Sequence, residues 1–213
     1  MKKYQNLVRE FHLAAGQPVA DKPTKLSTER LNLRLELIKE EARELEDAVF
    51  SNDRVETLDA LCDLMYVVCG KAAEEGLSFF DQNEIDTASQ KMINRMPKFQ
   101  AVDVVIELIS AKNTSAYDAH KVMYLATLFG FDERTFYHAF KAVHESNMSK
   151  FCKSESEAHE TIRKYKSNGV EAYFTVNNGL YVIFRTSNNK VLKSVNYHPV
   201  DLRELSKNDF RRF

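Results

Sequence analysis

Two runs of carboxylates carry the first chemical possibility in this chain. Glu36, Glu40, Glu41 and Glu44 fall within one helix-compatible stretch, and Glu56, Asp59 and Asp63 fall within the next. Residues three and four apart stack on one helical face, so Glu40 or Glu41 shares a face with Glu44, and Glu56, Asp59 and Asp63 make one ridge. Two acidic ridges on neighbouring helices repel unless a divalent cation, bound water or protonation intervenes. Oxygen donors of this kind suit Mg²⁺ or Mn²⁺, and Mg²⁺ typically works beside phosphate groups rather than in a closed protein cage. An anionic polyphosphate can approach an acidic pocket only with metal between them, and that metal can also activate water.

An E-x-x-E pattern alone also fits a solvated helix face. Asp59 and Asp63 are harder to explain that way, because they interrupt the apolar stretch LDALCDLMYVVCG, residues 58–70. Charges among core residues are costly unless paired or metal-bound. A carboxylate-bridged di-iron site would need E-x-x-H on paired helices. The residues three places before the six histidines are Arg9, Tyr117, Thr135, Lys141, Ser156 and Val195, which disfavours it.

The elements that must position these acids follow from apolar spacing. Leu31, Leu35, Ile38, Ala42 and Leu45 predict a helix from Ser27 or Thr28 to Val49, broken by Asn52 and Asp53. A second helix is expected from Asp53 to Glu75, with Gly76 at the position that ends it. So short a linker implies an antiparallel pair packed side by side. Further helices are expected at about 81–96, 101–111, 117–128, 132–148 and 154–167. Asn177-Asn178-Gly179 between Tyr173–Val176 and Tyr181–Phe184 predicts a hairpin, and a third strand is expected over Lys190–Val195.

The fold class is therefore mainly α: an antiparallel helical bundle over residues 1–151 with a small C-terminal α+β hairpin or meander element over 152–213. Four prolines and six glycines in 213 residues agree with long helices. Residues 1–150 carry 19 basic against 24 acidic side chains, and residues 151–213 carry 11 against 7, an acidic body joined to a basic tail. No apolar run suits a signal peptide or a membrane span, so a cytoplasmic protein with no membrane partner is expected. Cys62, Cys69 and Cys152 lack metal-ligand spacing and are expected to be reduced thiols.

LIKEEARELEDA (37–48) followed by LDALCDLMYVVCGKAAEEG (58–76) resembles the all-α, MazG-like NTP pyrophosphohydrolase superfamily, with its E-x-x-E and E-x-x-D helices. VHESNMSKF (143–151) resembles the H-x-S-N-M-S-K signature of the phosphoribosyl-ATP-pyrophosphohydrolase-like branch. REFHLAAGQPV (9–19) and KVLKSVNYHPVDL (190–202) also resemble that branch. The resemblance implies Mg²⁺-dependent attack of water on a nucleoside triphosphate, releasing a nucleoside monophosphate and pyrophosphate. It also implies a bundle completed by dimerisation, hence a homodimer or higher homo-oligomer, and no nucleic-acid polymer as partner.

Carried over by residue, Glu41 and Glu44 match the first acidic pair, Asp63 the last acid, and Glu40 an additional acid found in some relatives. The first acid of E-x-x-D falls on Ala60, so Asp59 is expected to serve from one residue earlier, with Glu56 one turn before. Glu40 and Glu41 are thus the candidate catalytic acids; Glu41, Glu44, Asp59 and Asp63 are the candidate metal ligands. Asn147, Lys150, His144 and Lys193 are the candidate substrate contacts, Lys193 alternatively guarding an edge strand. Phe11 and His12 could border a base or fill the core, and Arg34 and Lys39 could reach phosphate or pair with nearby Glu. Two other functions stay open: the phosphoribosyl-ATP pyrophosphohydrolase of histidine synthesis, and a non-catalytic nucleotide-binding module.

Overall fold

A computed structural model describes residues 1–79, 97–109 and 118–207, apart from the Leu108 side chain. The order is α1 (Lys2–Ala14), α2 (Thr28–Phe50), α3 (Arg54–Glu74), α4 (Lys98–Ile109), α5 (Asp118–Leu128), α6 (Glu133–Met148), α7 (Glu155–Ser167), β1 (Ala172–Asn177), β2 (Leu180–Arg185) and α8 (Arg203–Ser206). The chain is mainly helical, with a two-stranded antiparallel sheet toward its C-terminus among the described residues. The expected helix over 81–96 lies outside the described residues. Among the described residues no helix is long and apolar enough to cross a membrane.

Local chemistry sets the helix ends as the spacing predicts. Ser27 accepts from Arg30 N–H, Asp53 from Val55 and Glu56, Asp132 from Thr135, and Ser154 from Glu157, each satisfying a donor left free in the first helical turn. At the other end of α3, Gly76 has φ +64° and Leu77 N–H reaches back to Ala72 C=O at 2.9 Å, a Schellman closure. A side chain there would be built 2.1 Å from Lys22 O, so the position admits only glycine. Apolar spacing alone did not predict helix α1, although Tyr4, Val8 and His12 are buried along it at i, i+4 and i+8.

Helix α3 is the centre of the bundle. From Thr57 to Glu74 every residue is buried except Asp59, Asp63 and Val67, which follow one another at i, i+4 and i+8. Packing of α1, α2, α5, α6 and α8 closes its other sides. That inequality decides the site: one strip of the most buried helix remains partly open, and two of its three residues are acids. Residue 60 faces inward, Ala60 being only 6% exposed in the core. Asp59, not position 60, therefore lies in line with Asp63.

Helices α2 and α3 run antiparallel in a continuous register. Arg30 reaches Glu74, Arg34 lies against Gly70, Glu41 is coupled to Asp63, and Glu44 to Asp59, each step along α2 matched by a step back along α3. Gly70 costs helix stability relative to Ala, but a side chain there would stand 3.0 Å from His12 Nε2 and 3.2 Å from Arg34 Nη1.

The hairpin forms as expected. Asn177 pairs with Leu180, and the turn residues Asn178 and Gly179 take φ +49° and +78°, the left-handed pair a two-residue turn requires. The expected third strand over Lys190–Val195 is not formed. A single bridge joins Val191 to Phe184, and Leu192 N–H donates to Ile183 C=O at 2.8 Å. Beyond it the backbone finds other partners: Ser194 N–H donates to Lys150 C=O and Val195 N–H to the Thr161 hydroxyl, both at 3.1 Å. Competing acceptors on neighbouring elements thus end the pairing after one bridge. Phe151, Val182 and Phe184 pack with Ala14 and Ala15, so the hairpin rests on the end of α1. All three cysteines are free and buried.

Candidate functional site

The acids of α2 and α3 meet on the open strip. Glu41 is half-buried, and its pKa is pushed up to about 8, first by burial and then by Asp63, Glu44 and Glu40. Asp63 is pushed up to about 7, by burial first and then by Asp59, with Glu44 also contributing. Burial, Glu56 and Glu44 raise Asp59. Glu40, Glu44 and Glu56 themselves are exposed, at the rim. The four expected metal ligands are therefore linked in one chain of charge coupling, with Glu40 joined to it through Glu41, whereas Glu36 is exposed and pairs with Lys39 at 2.7 Å. Lys39 points to surface ion pairing rather than to the acids of the seam.

Across this seam stands the C-terminal end of α6. Lys150 is half-buried, and burial lowers its pKa while Asp63 and Glu41 raise it, so its ammonium faces the acids. Its Nζ donates to Asn147 Oδ1. The Asn147 amide is hydrogen-bonded to the buried Tyr66 hydroxyl, which in turn lies 3.0 Å from His144 Nδ1. His144 Nε2 is 3.5 Å from a Glu10 carboxylate oxygen. The consistent assignment is a chain in which Asn147 N–H donates to Tyr66, Tyr66 O–H to His144, and His144 N–H to Glu10. His144 is 5% exposed and turned onto Tyr66, so its connection to the seam runs through Tyr66 and Asn147. Burial lowers its pKa, which favours the neutral ring this chain requires. On its other side, His144 borders an open groove of about 760 Å³ with Glu10, Met148, Phe151, Leu180 and His198.

The other expected candidates are placed in the interior. Phe11 packs against Tyr66 and Phe151, ring centroids 5.6 and 5.1 Å away. His12 is buried, its Nδ1 3.1 Å from Pro18 C=O and its Nε2 3.3 Å from Arg34 Nη2. Arg34 is occupied by Glu74, whose fully buried carboxylate also accepts from Arg30 Nε at 2.7 Å. Arg34 thus holds the α2/α3 pair together at the end away from the acids. This cluster was not predicted from the sequence, although Arg30 and Arg34 at i, i+4 and an acid shortly before Gly76 carry its signal.

Among the described residues no three His, Cys, Asp or Glu side chains are drawn together closely enough to hold a metal ion as they stand. The fit to a divalent cation rests instead on the donor set: carboxylate oxygens alone, coupled, partly desolvated and destabilised by one another. Such donors suit a hard cation that keeps part of its water.

The site is therefore that of a helical bundle with acids on an antiparallel helix pair, faced by an asparagine at the end of a later helix and a lysine just beyond it. Residues 8–85, which contain α2 and α3, match the family model described as phosphoribosyl-ATP pyrophosphohydrolase. The chain is also 31% identical, over an alignment 226 positions long with its gaps, to an uncharacterized protein of Acanthamoeba polyphaga mimivirus, an alignment covering 88% of this chain and 89% of that protein. No solved structure matches. Residues 8–85 thus match the phosphoribosyl-ATP pyrophosphohydrolase family, which belongs to the MazG-like, all-α NTP pyrophosphohydrolase superfamily, and this match supports a nucleotide pyrophosphohydrolase activity in general.

Proposed function

We propose that this protein hydrolyses a (deoxy)nucleoside triphosphate to the monophosphate and pyrophosphate in a Mg²⁺-dependent reaction. The observation that carries the reading is the opposition across one seam: coupled acids on α2 and α3 against Lys150 and Asn147 on and just beyond α6. That arrangement offers one wall to cations and the other to phosphate oxygens. Glu41, Glu44, Asp59 and Asp63 would hold Mg²⁺, with Mn²⁺ an alternative. Bound there, the metal would supply an activated water and neutralise charge on phosphorus. Lys150 orients the polyphosphate as a point charge, and Asn147 is held in place by Tyr66. Glu40 and Glu41 would take a proton from the attacking water.

The test is a panel of ribo- and deoxyribonucleoside triphosphates, with phosphoribosyl-ATP included, assayed for pyrophosphate release with and without Mg²⁺. Release from one or more ordinary triphosphates, lost on chelation, is expected. Release from phosphoribosyl-ATP alone would establish the second reading, the histidine-synthesis enzyme, which the family description favours.

A second copy of the chain completes the proposal. Leu33, 45% exposed, continues at helical spacing the face of α2 that carries Glu40 and Glu44. A partner laid against this face would cover the leucine and wall the seam. Light scattering should give at least a dimer, and Leu33→Glu should shift it to monomer; a monomeric parent protein would remove this part.

A further inference from the structure

The segment after Leu192 brings a second lysine to the site. It lies along the end of α6, where Ser194 N–H donates to Lys150 C=O at 3.1 Å and His198 N–H to the Ser149 hydroxyl at 2.9 Å. The Ser146 hydroxyl donates to Tyr197 Oη at 3.1 Å. On its other side the segment is tied to α7, through the Ser194 hydroxyl to Glu157 and through Val195 N–H to Thr161. Bonds of both kinds, backbone and side chain, therefore hold residues 194–198 against the signature segment.

Lys193 precedes this clamp, and its ammonium sits 4.4 Å from the centroid of the Tyr197 ring. Lys193 and Tyr197 both bear on the charge of Lys150, Lys193 opposing it. Neither Lys150 nor Lys193 makes an ion pair among the described residues. The Lys193 ammonium, seated on Tyr197, is thus brought near that of Lys150, which faces Asp63 and Glu41 without being bonded to either. An arrangement that sets like charges together gains when an anion sits between them. Lys193 lies beyond the single bridge to β2, which removes the account of it as the guard of an edge strand.

We infer that Lys193, delivered by the C-terminal extension, joins Lys150 in a two-lysine seat for the polyphosphate of the substrate, with Tyr197 as the residue that positions Lys193. The inference deepens the proposed hydrolysis and rests on it for the identity of the anion. The tyrosine face attracts the ammonium, and the Ser146 bond fixes the ring.

Binding of inorganic pyrophosphate, measured by titration calorimetry at constant ionic strength, tests the seat without requiring turnover. Lys193→Gln is expected to weaken it about tenfold, the loss of one charge-assisted contact, while Lys193→Arg stays within about threefold of the parent. Tyr197→Leu should weaken it severalfold and Tyr197→Phe less, because the second keeps the ring. In turnover assays Lys193→Gln should raise KM far more than it lowers kcat. Parent-like pyrophosphate affinity in Lys193→Gln, or no pyrophosphate binding by the parent, overturns the inference. If the parent hydrolyses triphosphates and Lys193→Gln has unchanged KM and affinity, the seat falls and the hydrolysis stands. If pyrophosphate binding depends on Lys193 but no triphosphate is hydrolysed, the seat stands and the hydrolysis falls.

Discussion

Asp63→Asn is expected to lower nucleotide hydrolysis by about 10²–10³-fold while leaving the metal-free protein more stable than the parent. Both effects come from one feature, the acid on the open strip of α3. Asp63 is pushed up to about 7 by burial and by Asp59, against an ordinary aspartate near 4. In the folded protein its ionisation is therefore penalised. The unfolded chain releases this proton near pH 4 and the folded chain near 7. Stability from this group is complete below about pH 4 and is lost as pH climbs toward 7. Asparagine has no proton to lose, and so escapes the penalty.

After discounting for partial exposure and for the shared repulsion with Glu41, the gain is about 2 kcal/mol at neutral pH, or roughly 4–8 °C in midpoint. Thermal unfolding with and without Mg²⁺ checks it together with pyrophosphate release. The parent should be raised by Mg²⁺, and Asp63→Asn should start higher and respond less. A variant that loses stability in metal-free buffer yet keeps the full response to Mg²⁺ and full turnover would show that these acids are merely structural. A functional group that costs stability until its ligand arrives is the usual signature of a site rather than of a core.

The opposite behaviour is expected at the other end of the same helix pair. Glu74→Gln should destabilise the protein by about 3–5 kcal/mol, because it leaves Arg34 buried and Arg30 partly buried without their counter-charge. The Glu74 side chain is fully buried. Burial alone would raise its pKa, but the two guanidiniums outweigh that and hold the carboxyl below its usual range. Urea unfolding checks the loss, and a change below about 1 kcal/mol would show that the triad is not the clamp between α2 and α3.

His12 adds a pH dependence to this cluster. Burial first, and then Arg34, lower its pKa to about 4, from an ordinary value near 6.5. Here the unfolded chain binds the proton first as pH falls. The contribution is complete above about pH 6.5 and is lost on descent toward 4, up to about 3 kcal/mol. Since the acids of the seam act in the opposite sense over part of this range, the difference between the parent and His12→Gln isolates it. Equal slopes for the two between pH 6.5 and 4 would mean that His12 is not held neutral.

Much of the framework was legible in the chain because it is governed by contacts a few residues apart. Apolar spacing and polar caps placed α2, α3, α6 and α7, and Asn178-Gly179 placed the hairpin, since a helix turn or a two-residue turn is satisfied by its own neighbours. The acids were legible for the same reason. Asp59 and Asp63 are four apart in an otherwise apolar helix, a local pattern with a local cost. Spacing put Asp59 in line with Asp63, but it could not say that this side of α3 is the one its neighbours leave open.

Whatever depended on partners distant in sequence was decided only in three dimensions. Arg34, read on paper as pairing with a nearby Glu or reaching phosphate, is bonded in the interior to a glutamate forty residues away. His144 turns to Tyr66, and Lys190–Val195 stops pairing after one bridge because Lys150 and Thr161 offer its backbone other acceptors. The amino-acid sequence by itself determined the helices, the turn and the presence of two acidic ridges. The tertiary structure decided which acids share a seam and which lysine faces them, and it drew the C-terminal segment to that place. The physical reason is that burial, charge coupling and backbone hydrogen bonding between remote segments depend on how the helices pack, whereas periodicity and capping depend on the nearest turn.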